Sequence, residues 1–153
     1  MFVSITIIGF SLLLFLYWFR YTCLLILSTK TTKDYTAQVA KANQLEFPLI
    51  QAHLREAVAA AEHGSLETLR NSLERDYRLL TGLLSHAAQF QVGGLTAEQR
   101  MLMVDYQAMR LWYSVSLKFS KRSNAKQALE EMADIVAHFA NAMGERSMAA
   151  GRA

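Results

Sequence analysis

FVSITIIGFSLLLFLYWFRYTCLLIL, residues 2–27, decides how the rest of the chain is read. From Phe2 to Phe19 there are 18 residues without a charge, and only Ser4, Thr6 and Ser11 interrupt the apolar run. A helix crossing the hydrocarbon core needs about 20 mainly apolar residues at about 1.5 Å each. A lone segment in lipid must satisfy its own backbone, which only a helix does. Residues 1–27 are therefore expected to form a single transmembrane anchor. A cleaved secretory signal would need a positive start and a small-residue end. This run has no Lys or Arg before it, and it closes on Tyr17-Trp18-Phe19-Arg20.

The flanks predict an orientation. Arg20, Lys30, Lys33 and Lys41 follow the run, against Asp34 alone. Positive residues stay on the cytoplasmic side, so the N-terminus is expected outside and the remainder in the cytoplasm. Trp18, Arg20, Tyr21, Lys30 and Lys33 are the expected membrane-interface residues. The aromatics suit the headgroup level, and Arg20 can snorkel.

Beyond the anchor, about 125 residues remain, enough for one domain with its own core. Composition excludes some classes. A single Cys, Cys23, rules out an internal disulfide framework, and a net charge of +3 is too small to indicate a polyanionic partner. Val/Ile/Thr alternation is absent after the anchor, and apolar residues recur at three and four. The fold class is all-α: an N-terminal transmembrane helix followed by an antiparallel bundle of four to five helices. Residues 28–33 form a polar juxtamembrane segment, 34–144 the bundle, and 145–153 a frayed tail.

Individual boundaries follow from local chemistry. Thr31 with Asp34 suggests a capping box opening the first bundle helix, and Pro48 suits the first turn of the next. Whether Pro48 reverses the chain or only kinks it stays open. His63-Gly64-Ser65 reads as a stop and restart, with Gly64 left-handed and Ser65 a cap. Leu66, Leu69, Leu73, Tyr77, Leu80, Leu84 and Ala87 stripe a long third helix that closes at Gly93-Gly94. Thr96 with Gln99 caps the fourth, over about 97–120. Its apolar residues fall in two stripes. One is Met101, Val104, Ala108, Leu111, Val115 and Phe119; the other is Leu102, Tyr106, Met109, Tyr113 and Leu117. Such a helix is either the centre of the bundle or the one that meets a partner. The last helix is expected from about Ala125, capped by Ser123 or Asn124, to Gly144, with Leu129, Met132, Val136, Phe139 and Met143 inward.

No catalytic constellation emerges. His53, His63, His86 and His138 include no pair at i, i+4, and no Glu-x-x-His occurs. Asp134 and His138, with Glu130 and Glu131 nearby, could offer ligands to a metal, but the simpler reading is a solvated helix face with an Asp–His pair four apart. No cofactor is expected. Lys118, Lys121, Arg122 and Lys126 are candidate headgroup-binding residues, since no aromatic-stacking or Gly-rich motif accompanies them to suggest nucleic acid. If Pro48 reverses the chain, that cluster reaches the level of Lys30 and Lys33. Tyr106, Trp112 and Tyr113 are the candidate partner-binding residues, one of them expected to be exposed in the monomer. The function these features favour is a non-catalytic accessory or assembly subunit. Its partners would be membrane lipids and larger integral membrane subunits, as in a respiratory or photosynthetic complex. The alternative is a membrane-anchored ligand or metal sensor, or an enzyme, with its site inside the bundle.

Overall fold

The computed structural model describes residues 1–29, 34–56, 63–90 and 94–151. They form six helices: α1 Phe2–Ser28, α2 Thr36–Asn43, α3 Phe47–Glu56, α4 His63–Phe90, α5 Ala97–Lys118 and α6 Arg122–Ala150. The chain divides into two units, residues 1–30 and 31–153. Lys30–Lys33, residues 57–62 and Gly93 lie outside the described residues. So do the Thr31 end of the expected capping box and the level expected of Lys30 and Lys33.

The first unit is α1, which is apolar on every side and long enough to cross a membrane. Two of its threonine hydroxyls turn back on the helix. Thr6 Oγ1 donates to the Phe2 carbonyl at 2.9 Å and Thr22 Oγ1 to the Trp18 carbonyl at 2.8 Å. A polar group that bonds within its own helix is tolerable in lipid.

In the second unit α6 is central, packing against α2, α3, α4 and α5. This answers the choice left open for α5, which is not the middle helix. The composition of α6 explains it. Ala125, Ala128, Ala133, Ala140 and Gly144 are all buried, and small residues let neighbours approach on several faces. Leu129, Met132, Ile135, Val136 and Phe139 fill the layers between. Helices α4, α5 and α6 alternate in direction. Tyr77, Glu74 and Arg70 of α4 meet Tyr106, Arg110 and Tyr113 of α5 in reverse order. Arg146, late in α6, reaches Leu84, late in α4, and Gln99, early in α5.

Several boundaries move from their expected places. Helix α2 begins at Thr36, where Asp34 Oδ1 accepts from the Thr36 amide at 2.9 Å and from the Thr36 hydroxyl. The α4 backbone is already helical at His63, so Gly64 and Ser65 lie within the helix rather than between two. Helix α6 begins at Arg122 without a side-chain cap and continues through Gly144 to Ala150. Within the stretch expected to fray, the chain stays helical to Ala150 and Arg146 is tied down. Arg146 donates to the Leu84 and Gly94 carbonyls, both at 3.4 Å, and to Gln99 Oε1 at 3.0 Å. At Thr96 the capping box forms in both directions.

The two short helices are capped from a distance. Pro48 sits in the first turn of α3, and Asp76 of α4 supplies what that turn lacks. Its Oδ2 accepts from the Glu46 and Phe47 amides at 2.6 and 2.8 Å. Likewise Asn141 Oδ1 of α6 accepts from the Tyr35 amide, at 2.8 Å, where the chain enters α2. Helices of 8 and 10 residues are marginal alone, so such tertiary caps hold them.

His138 on α6 is half-buried, and burial pulls its imidazole pKa below the ordinary value, with Glu98 and Glu145 opposing. The stability contributed by the neutral ring is full above about pH 6.5 and lost as pH falls through the depressed folded pKa. The melting temperature should therefore drop on acidification below about pH 6.5. In His138→Gln the drop should be smaller. An unchanged pH profile in the variant would remove His138 as its source.

Candidate docking surface

The two apolar stripes of α5 have opposite fates. Leu102, Tyr106, Met109 and Tyr113 are buried, with Ser116 continuing their face. Val104, Leu111 and Trp112 are 59%, 67% and 48% exposed, Ala108 is open, and Met101 and Val115 are half-buried. A helix rolled by half a turn would bury the other set, so something beyond hydrophobicity fixes the rotation.

That lock is a polar and aromatic contact with α4. Tyr106 lies flat on Tyr77, ring centroids 3.7 Å apart and planes within 1°. Glu74 is met by Arg78 at 2.6 Å, by Arg110 of α5 at 3.5 Å and by Arg70 at 3.6 Å. The Arg70 guanidinium sits 5.8 Å from the centre of the Tyr113 ring. Burial, with Glu74 adding, pushes the Tyr106 phenol far up, so it stays neutral. Stacking and cation–π contacts of this kind contribute about 0.5–2 kcal/mol each. Together they turn Tyr106 and Tyr113 inward and leave Val104, Leu111 and Trp112 outside.

The expected partner residues therefore separate. Tyr106 and Tyr113 are core residues, because their rings are the ones that α4 holds. Trp112 alone of the three is exposed, beside Leu111. Val104 and Leu111 were legible as one stripe, but nothing local marked it as the outer one. The basic cluster also separates. Lys118, Lys121 and Arg122 are exposed at the α5–α6 turn, whereas Lys126 pairs with Glu130 at 3.6 Å one helical turn on. On α1, Trp18 and Tyr21 are exposed and Arg20 is partly so.

Among the described residues, no three His, Cys, Asp or Glu side chains are grouped so as to hold a metal. Asp134 accepts from Gln51 Nε2 at 3.0 Å, a link between α6 and α3. No family model matches the sequence, and no curated protein or solved structure matches it either.

Proposed function

We propose that the chain is a membrane-tethered, non-catalytic docking subunit. In this reading α1 spans the bilayer with its N-terminus outside, and the bundle binds a larger integral membrane protein on the cytoplasmic side. The observation that carries it is the outward stripe of α5. Val104, Leu111 and Trp112 lie at helical spacing on one face and remain exposed although the bundle has a full core. Large apolar side chains exposed together on one helix face are a common feature of interaction sites. Trp is the residue most enriched at binding hot spots. The charge asymmetry of Arg20 and Lys41 against Asp34 supports the orientation.

A photo-crosslinking residue placed at Leu111, in the native membrane, tests this. The expected product is an adduct with a larger membrane protein, absent when the probe is placed at Arg78 on α4. Trp112→Ala should weaken that association by about thirtyfold, corresponding to about 2 kcal/mol for a hot-spot residue. Recovery of the lone chain, with no adduct from Leu111, would end the proposal.

A further inference from the structure

The α5–α6 turn, Lys118-Phe119-Ser120-Lys121-Arg122, is not used by the core, and its Phe119 ends the outward stripe of α5. Its shape is set by the backbone. Ser120 is left-handed, φ 56°, and two bonds close the helix end. The Ser120 amide donates to the Leu117 carbonyl at 3.0 Å, and the Lys121 amide to the Ser116 carbonyl at 2.9 Å. That is the Schellman arrangement, in which the chain turns sharply away from the helix axis. Phe119, the residue just before the turn, is left 73% exposed, more than Leu111 or Leu49 elsewhere in the bundle. Around it Lys118, Lys121 and Arg122 are all exposed, and the stretch from Gln107 to Leu129 contains no acidic residue.

We propose that this turn is a second membrane contact, which binds anionic lipid while α1 holds the chain at the bilayer. Phe119 inserts at the headgroup boundary, and Lys118, Lys121 and Arg122 pair with the phosphates and carboxylates around it. Charge complementarity selects this occupant: three basic side chains within five residues surround an aromatic, and basic groups near an anionic leaflet gain from its surface potential. An aromatic with a basic flank is also the composition that settles at a membrane interface. The inference rests on the reading of α1 as a span only for the tether.

The test uses the full chain in lipid nanodiscs with brominated acyl chains, which quench nearby tryptophan. One form keeps Trp18 alone, through Trp112→Phe, and reports α1. A second carries Phe119→Trp together with Trp18→Phe and Trp112→Phe, and reports the turn. Because Phe119 is largely exposed, the exchange leaves the core untouched. The expected result is quenching of the Phe119→Trp probe in discs of phosphatidylcholine with phosphatidylserine, and little in phosphatidylcholine alone. Adding Lys118→Gln, Lys121→Gln and Arg122→Gln should reduce the docking equilibrium by on the order of 100-fold and abolish most of the quenching. Raising the salt should act in the same direction. Quenching at Trp18 without quenching at the turn overturns the proposal. So does quenching that is equal in both lipids and indifferent to the three Gln substitutions, or a blue shift without bromolipid quenching, which would mean a protein contact. Quenching at the turn but not at Trp18 upholds lipid binding here and refutes the span. Quenching at neither refutes both.

Discussion

Replacing Gly144 with alanine should destabilise the bundle by about 2 kcal/mol, although alanine is the better helix former. Gly144 lies within α6, and a Cβ there would stand 2.3 Å from Tyr35 Cβ, 2.9 Å from Tyr35 Cγ and 3.2 Å from Val39 Cγ2. The first of these atoms is attached to the backbone, so no rotamer change relieves the clash, and the start of α2 must back away. Doing so strains the bond from the Tyr35 amide to Asn141 Oδ1, one helical turn earlier on α6. The control is Gly82, exposed within α4, where a Cβ meets nothing within 4 Å. Gly82→Ala should stabilise by about 0.5–1 kcal/mol through helix propensity alone. Urea unfolding of the two variants should shift the midpoint in opposite directions. A Gly144→Ala midpoint equal to or above that of the parent would show that α2 does not pack as described.

Asp76→Ala should be comparably damaging, about 2–4 kcal/mol, because it leaves two amide donors without their acceptor where α3 begins. The carboxylate is 1% exposed, and its Oδ1 lies 3.6 Å from Arg75 Nη2, which also reaches Glu46 at 3.0 Å. Burial raises the Asp76 pKa, an effect partly offset by the two amides. A raised carboxyl pKa means that the folded state holds the proton more tightly. The stability this brings is full below the unfolded value and disappears as pH rises through the folded one. At neutral pH the charge is thus a burden and the acceptor geometry is the benefit. Asp76→Asn keeps an oxygen in that position and drops the charge, so it should lose less than half of what alanine loses. Amide exchange at Glu46 and Phe47 should accelerate in the alanine variant and change little in the asparagine one. Equal losses in both variants would place the contribution in charge rather than in capping.

Local patterns were enough for much of this architecture. The uncharged run from Phe2 to Phe19 dictates a helix apolar on all sides, because nothing in it could be turned toward water. The three–four spacing from Leu66 to Leu84 dictates α4, and Thr96 with Gln99 marks the start of α5 through bonds that span three residues. Each of these signals depends on neighbours within one or two helical turns.

The candidate docking surface was only half legible for the same reason. Spacing revealed two apolar stripes on α5 and an exposed basic stretch beyond it. It could not rank the stripes, since both offer similar hydrophobic area. Packing of α5 on α6, with side-chain contacts to α4 through Tyr77 on Tyr106 and Glu74 with Arg110, buries Tyr106 and Tyr113 and leaves Leu111 and Trp112 to solvent.

What the sequence determined alone is therefore the set of helices, the apolar span and the faces available for burial. Tertiary structure decided that α6 rather than α5 takes the centre, that Gly144 is a contact point rather than a helix stop, and which stripe faces outward. It also supplied the caps of the short helices, from acceptors 30 and 106 residues away in the chain. Periodicity reports which side of a helix is apolar, but a helix of small residues such as α6 becomes central only when its neighbours can approach it on every side. That approach is a property of the packed chain and not of any local stretch.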